Sequence, residues 1–282
     1  MASRRISSPR GYPLSVRVHR NRKPLEDLVA AGAKEVATDA ELARVSDIVF
    51  LCVTGTPQVE AIVYGVNGLL SAAREGLIVV DTSTAEPAST ASIRIDFAAK
   101  RALFVDAPLG RTPIEGEQGR LNTIVGADDA VFARLKPVLS AFCENVIHAG
   151  PPRSGHTLKL INNFLGQTIA AATAEACAAS VKSGLSLRKL HEVISAGPAN
   201  SGIFQMLVGK MLDGNGDLTG MKFTLSNAMK DLRYYTHMAE ALPVAWIVGE
   251  AVHQTLVTAN SLGLGDKYVP SLLEAQETLA GV

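Results

Sequence analysis

Four short runs rich in Val, Ile and Leu, several of them apolar throughout, recur through the first half of the chain: Leu14–Val18, Ile48–Val53, Leu77–Asp81 and Phe104–Ala107, with amphipathic segments between them. That alternation limits the fold more than any other feature. Runs that are apolar along their length, rather than at every second position, belong to parallel strands covered on both faces. The intervening segments carry helix starts. Thr38 with Glu41 makes a capping box ahead of Leu42 and Val45, and Thr56 followed by Pro57 reads as an N-cap with proline in the first helical position. Strand and helix in alternation imply right-handed crossovers and a Rossmann-like, doubly wound parallel sheet of the α/β class.

After Gly150 the pattern changes. Ser154–Lys182 reads as one long, alanine-rich helix, and further helices follow at about Ser186–Ser195, Leu225–Ala239, Ala245–Ser261 and Tyr268–Leu279. An α/β domain over 1–149 is therefore expected to give way, near Gly150–Gly155, to an all-α domain over 150–282 that begins with an interdomain helix. The longest apolar stretch, Leu158–Val181, is interrupted by Lys159, Asn162, Asn163, Gln167 and Glu175. So many polar groups fit a buried helix of a soluble protein, not a bilayer span.

Charge and cysteine usage narrow the setting. With 27 basic and 27 acidic residues in balance, neither nucleic acid nor an anionic membrane is expected as a partner. Cys52, Cys143 and Cys177 are odd in number and unpaired in spacing, and the six histidines are dispersed. A reduced, cytoplasmic location without a metal site follows. Met1–Arg10 lacks the apolar core of a secretory signal.

Ligands of open parallel sheets bind beyond the carboxyl ends of the strands. Three small, polar turns stand there: Thr54-Gly55-Thr56-Pro57, Asp81-Thr82-Ser83-Thr84, and Asp106 through Pro113. In the last of these, Arg111 can hold a carboxylate or sulfonate bidentately, or lie solvated on the surface. Lys159 and Asn163, four apart, share a helix face among Leu158, Leu160, Ile161, Phe164 and Leu165. Such a helix, largely buried, would present an ammonium and an amide, and the ammonium can protonate a developing alkoxide. The competing reading is a lysine that snorkels at the helix end. Lys230-Asp231 is a second polar point on an apolar helix, able to reach a cofactor or substrate, or to form a surface ion pair.

Four segments then fall in order: Asp106-Ala107-Pro108 with its glycine-containing turn, Gly119-Arg120-Leu121-Asn122-Thr123-Ile124-Val125-Gly126, Lys159-Leu160-Ile161-Asn162-Asn163, and Met229-Lys230-Asp231-Leu232. In these motifs and their spacing the chain resembles the 3-hydroxyisobutyrate dehydrogenase group of 3-hydroxyacid dehydrogenases, relatives of 6-phosphogluconate dehydrogenase, from about Leu14 to the C-terminus. The resemblance implies hydride transfer between NAD(P) and a small, anionic 3-hydroxyacid or its semialdehyde. It implies Lys159 as the catalytic lysine, Asn163 as the substrate-orienting amide, and Gly110, Arg111 and Thr112 as the substrate turn. Val53, Thr54 and Thr84 would border the cofactor, with Lys230 at the cofactor–substrate junction. A homodimer or homotetramer built through the helical domain is also implied.

Two departures qualify this picture. The substrate turn is Gly110-Arg111-Thr112 where the group has Ser-Gly-Gly, which resembles the sulfolactaldehyde reductase branch; yet Gly166 stands where that branch has a serine. The group also opens with a strand and a Gly-x-Gly-x-x-Gly loop, and neither precedes Leu14. The first β-α unit is therefore expected to be missing from the Rossmann-like domain, which keeps open the alternative of a catalytically impaired or non-catalytic relative. After Leu14–Val18 comes His19-Arg20-Asn21-Arg22, with no acid for a ribose. Arginine there suits the 2′-phosphate of NADP, at either Arg20 or Arg22.

Overall fold

The computed structural model of the protein describes residues 12–17, 22–214, 216–219 and 221–281. Two compact units meet in sequence between Lys159 and Leu160. In the first, β1 (Ser15–Val16), α1 (Lys23–Ala30) and β2 (Lys34–Glu35) form a βαβ turn with β1 and β2 parallel. Then follow α2 (Asp39–Val45), β3 (Ile48–Leu51), α3 (Thr56–Tyr64), β4 (Ile78–Asp81), α4 (Pro87–Ala99) and β5 (Leu103–Asp106). The four apolar runs thus become β1, β3, β4 and β5. Among the described residues, the pair β1–β2 is a separate sheet from the one that contains β3.

The runs that become β3, β4 and β5 form strands because both faces are covered. Leu77 and Val79 join Val49, Leu51, Phe97 and Phe104 in one buried cluster. Ile78 and Val80, one residue out of phase, join Val105, Val125, Leu135 and Leu139 in another. Successive side chains go to opposite faces, so a run with no polar member is what a doubly covered strand requires.

The chain next makes β6 (Leu109–Gly110), α5 (Pro113–Gln118), β7 (Leu121–Gly126), α6 (Asp129–Leu139) and β8 (Cys143–Gly150). The sheet order is β3-β4-β5-β7-β6, with β8 also on β7. β7 runs antiparallel to β5 and β6 and parallel to β8. The short β2 and β6 and the half-exposed β8 carry no continuous apolar run, and the sequence pattern does not reveal them.

Two helix starts differ in detail from expectation. Thr38 caps α2 through the Glu41 N–H (3.1 Å), but the Glu41 carboxylate accepts from Ala37 N–H (2.9 Å), one residue before the cap. Thr56 is not the cap of α3. Gly55 takes that position, because the Thr56 hydroxyl is occupied by the N–H of Glu86 (2.9 Å) across the turn.

α7 (Ser154–Lys182) has 29 residues, so the division at Lys159 falls near its start. The second unit adds α8 (Leu187–Ser195), capped by Ser186, then α9 (Gly202–Phe204), a π-helical turn and α10 (Lys210–Asp213). It continues with α11 (Leu225–Glu240), α12 (Ile247–Ala259) and α13 (Leu272–Ala280). Ala170, Ala174, Leu207, Leu232, Leu256 and Leu272 lie in its core. α7 is not buried all round, as its composition suggests. Leu160 is fully buried, whereas Leu165 is 55% exposed and Leu158, Ile161 and Ile169 are also open. The helix interrupts its apolar runs with alanines that do pack, so the larger side chains fall on a different face. Among the described residues, no helix is long and apolar enough to cross a membrane.

Candidate active site

Strand register creates the candidate site. Leu51 pairs with Asp81, and Asp81 with Asp106, so β3, β4 and β5 end level. The three polar turns therefore open on one edge of the sheet, the place where dinucleotides bind in doubly wound folds. They are also bonded to one another. Ser83 Oγ accepts the N–H of Val53 (3.0 Å), and Ser83 N–H donates to Asp81 Oδ1 (2.9 Å). The Thr82 hydroxyl and N–H both donate to the carbonyl of Leu51, at 2.6 and 2.8 Å. Val53 and Thr54 thus follow β3 directly and Thr84 ends the neighbouring turn, a backbone-lined rim with short side chains that suits the approach of a dinucleotide.

Asp106 has a task that sequence reasoning missed. Its carboxylate is fully buried and points at the first turn of α7, accepting the N–H of Arg153 (2.8 Å) and of His156 (2.9 Å). These are donors that a helix start leaves without internal partners, and a negative charge there also meets the helix dipole favourably. Two glycines make room for it. A Cβ on Gly155 would lie 2.4 Å from the carbonyl oxygen of Ile124, and one on Gly126 would lie 2.6 Å from Asp106 Oδ2. Arg153 enters the helix at φ +81°, a left-handed conformation that favours glycine. The aspartate of the Asp-Ala-Pro segment is thus the cap of the helix that carries Lys159.

In the expected substrate turn, Gly110 lies in β6 opposite Asn122. Arg111 has φ +74° and binds through Nη1 to the Glu144 carboxylate and to the carbonyl of Arg120. These bonds use one nitrogen, so the Nε–Nη2 edge of the guanidinium carries no bond to the described residues. Thr112 caps α5 in a full capping box. Its N–H and hydroxyl donate to Glu115 (3.0 and 2.5 Å), and its hydroxyl accepts from Ile114 N–H. Those bonds hold the Glu115 carboxyl below the usual carboxylate range. The Thr-Pro-x-Glu spacing is itself a readable box, so the hydroxyl of Thr112 has a local use besides any ligand.

Arg22 is exposed and forms a two-pronged pair with Glu35 (3.2 and 3.1 Å), which raises its guanidinium further above the ordinary range. Arg20 lies outside the described residues.

In the second unit, Asn163 Nδ2 donates to Asp231 Oδ2 at 2.6 Å. Asp231 is only 1% exposed, and Lys230 Nζ lies 2.8 Å from its other oxygen, a charge contact rather than an aligned hydrogen bond. Lys230 Nζ also sits 5.0 Å above the ring of Tyr234. The Lys230-Asp231 pair is therefore not a solvated surface pair. Asp231 fixes the Asn163 amide so that its nitrogen is used and its carbonyl is turned elsewhere. This orienting role of Asp231 depends on a partner 68 residues away, and nothing local signals it. Lys159, one turn before Asn163 in α7, is half-buried.

A level-ended α/β edge with backbone-lined turns, followed by a helix bearing a lysine and an amide, defines a dinucleotide-dependent oxidoreductase. Comparison with known proteins gives the family. Residues 1–150 match the model for the NAD binding domain of 6-phosphogluconate dehydrogenase, and residues 154–275 that for the NAD-binding region of NADP-dependent 3-hydroxyisobutyrate dehydrogenase. The chain is 30% identical over 255 residues to 2-(hydroxymethyl)glutarate dehydrogenase of Eubacterium barkeri, covering 90% of this chain and 84% of the relative. It is 28% identical over 263 residues to 3-sulfolactaldehyde reductase of Escherichia coli (strain K12), covering 93% and 87%. The crystal structure of 3-hydroxyisobutyrate dehydrogenase from Salmonella typhimurium superposes with a TM-score of 0.81 at 25% identity, over 97% of this chain and 94% of that one. The chain belongs to the 3-hydroxyisobutyrate dehydrogenase family of NAD(P)-dependent oxidoreductases.

Proposed function

We propose that the protein interconverts a small 3-hydroxyacid and its semialdehyde, with a carboxylate or sulfonate as the anionic head group. The observation that carries this reading is the Asn163 amide held by buried Asp231, one helical turn after Lys159. The nicotinamide supplies or accepts the hydride when bound. The chain's own residues do the rest. Lys159 delivers a proton to the alkoxide oxygen in reduction and takes it back in oxidation. Asn163 orients the same end of the substrate. The open edge of Arg111 receives the anionic head, in the two-point fashion that guanidinium allows. Two relatives named above, a hydroxymethyl-diacid dehydrogenase and a sulfolactaldehyde reductase, bear names of that substrate type.

Val53, Thr54 and Thr84 border the cofactor in this reading, and Lys230 is assigned to the cofactor–substrate junction. NADP is favoured over NAD because basic residues follow β1. Arg22 would exchange Glu35 for a 2′-phosphate, which is the stronger partner. A functional boundary near Gly150, with the helical part serving substrate and self-association, fits the same scheme. Ile161, Leu165, Ile169 and Ile247 leave apolar surface open on helices, which supports a homodimer or homotetramer. The test is Lys159→Ala, assayed with NADPH and a panel of semialdehydes that differ in head-group charge. Turnover should fall by a factor of about 100 to 10,000, with the melting temperature unchanged. Near-normal turnover would overturn the assignment.

A further inference from the structure

A second polar cluster lies beneath the turns and touches neither Arg111 nor Asn163. His156 is fully buried, one turn before Lys159 on α7. Its Nδ1 lies 2.8 Å from Thr90 Oγ1, and its Nε2 lies 3.7 Å from Asp81 Oδ2. Asp81 is fully buried as well, and neither Nε2 nor Oδ2 has a hydrogen-bond partner. A buried imidazole edge and a buried carboxylate oxygen thus face each other just beyond hydrogen-bond range.

Proton accounting sets the direction of this contact. The Thr90 hydroxyl is 3.1 Å from the carbonyl of Glu86, which already accepts the N–H of Thr90. If the hydroxyl donates to Nδ1 instead of to that carbonyl, the neutral ring carries its hydrogen on Nε2, and that N–H points at Asp81.

We propose that His156 is a positioning residue, a strut between the Asp81–Thr84 turn and the start of α7 that holds Lys159 in register with the cofactor turns. The inference rests on the reading of Lys159 as the proton-transfer group. Three observations support it. Asp81 shapes two turns at once, through the Ser83 N–H and, by Ser83 Oγ, the Val53 N–H. The backbone of His156 is already anchored by Asp106, so its ring is a second, independent tie on the same turn. Apolar side chains in place of both His156 and Asp81 would fill the space without burying a polar pair, so stability alone gives no reason for it. The charged group that faces the ring is Asp81 from β4, with Thr90 from α4 as the polar neighbour, while Asp106 from β5 holds the backbone N–H of the same residue.

The experiment compares His156→Gln, His156→Asn and His156→Leu, each alone and combined with Lys159→Ala. Glutamine places an amide N–H near the Nε2 position, toward Asp81. Asparagine reaches only Thr90. The asparagine and leucine variants should lose about 10- to 100-fold in kcat, the range that a small misplacement costs, while KM for the substrate changes little. The glutamine variant should recover most of the rate. In the Lys159→Ala background, none of the three should lower the residual rate further, because a residue acting through Lys159 has nothing left to act on. A readout independent of turnover is the rate at which trinitrobenzenesulfonate labels Lys159, followed by peptide mass spectrometry. It should shift at least threefold in the asparagine variant and stay near the parent value in the glutamine variant. Equal kcat and labelling rates in folded parent and asparagine variant would overturn the strut. So would equal losses in glutamine and asparagine variants, or the same loss in the Lys159→Ala background. If Lys159→Ala alone retains turnover, the proposed function fails. If it is inactive and the His156 variants behave as parent, only the strut fails.

Discussion

Removing the carboxylate of Asp106 should loosen the start of α7 before it affects anything else. Asp106→Ala leaves the N–H groups of Arg153 and His156, now bonded at 2.8 and 2.9 Å, without acceptors, the first in a part-buried place and the second in a fully buried one. Each unsatisfied buried donor costs about 1–3 kcal/mol. Loss of a helix cap typically costs about 1 kcal/mol and up to about 2. The two figures describe the same bonds and are not summed. Against them stands the relief of no longer burying a carboxylate, several kcal/mol in principle and largely compensated here by the two N–H groups and the helix dipole. The net loss should be about 2–4 kcal/mol. Asp106→Asn keeps one acceptor oxygen but turns an amide against the second N–H, so it should recover only part of the loss.

Hydrogen exchange of the Arg153 and His156 amides reads this turn directly. A loss of about 2–4 kcal/mol in its opening free energy corresponds to roughly 30- to 700-fold faster exchange. Urea denaturation of the first unit should move in the same direction, and amides in α12 should not change. Unchanged exchange at both positions in Asp106→Ala would refute the capping argument.

Three further outcomes follow from the same geometry. Gly155→Ala puts a methyl group 2.4 Å from the Ile124 carbonyl oxygen and 2.8 Å from that of Asp106, and should destabilise by about 3 kcal/mol, visible as a lower melting temperature; a shift of under two degrees or so would mean that α7 moves aside at little cost. Glu144→Gln frees the guanidinium of Arg111 from a partner that is itself half-exposed, so KM for anionic semialdehydes should fall by up to about fivefold and that for neutral ones should not; equal changes for both would remove Arg111 as anion anchor. Burial pushes the thiols of Cys143 and Cys177 up to about 12 and about 11, so neither forms appreciable thiolate at pH 8, whereas Cys52 is exposed beside Val53. A disulfide reagent should therefore titrate one thiol in the native protein at pH 8, more slowly with NADPH present, and two or more thiols reacting together would contradict that burial.

What the sequence made legible was local and periodic. Ile48–Val53, Leu77–Val80 and Phe104–Val105 are strands because nothing polar interrupts them, and Ser154–Lys182 is one helix because no proline, and only glycines tolerant of a helix, intervene. Ser186 announces α8 by its own hydroxyl. The polar contacts that give the site its shape were not legible in this way. Asp106 meets Arg153 and His156 at separations of 47 and 50 residues, and Asn163 meets Asp231 at 68. Arg111 meets Glu144 across 33, and that glutamate stands in β8, whose mixed composition conceals the strand itself. Thr112 shows the opposite failure. Its capping box with Glu115 is written in four consecutive residues, but that segment also resembles a substrate turn, so one stretch of sequence carries two readings.

The start of α7 therefore joins scaffold and chemistry. Asp106, Gly126 and Gly155 form one interlocked packing unit, His156 reaches from it to the cofactor turns, and Lys159 follows within a turn. A side chain added at Gly126 or Gly155 would collide with Asp106, so these positions should tolerate little change and offer little room for tuning substrate preference. Arg111 and Glu144 differ in kind. Their side chains are 30% and 47% exposed, their bond is a surface ion pair of small net worth, and no core residue depends on either. Under the proposed function, a change there should alter which anion the turn accepts while the helix start stays intact. Variation in head-group preference among relatives of this fold should accordingly concentrate at the positions of Gly110, Arg111 and Glu144. Exchanging those three residues between two relatives of different preference should carry the preference across, whereas the same exchange at Gly155 or His156 should cost stability or turnover for every substrate alike.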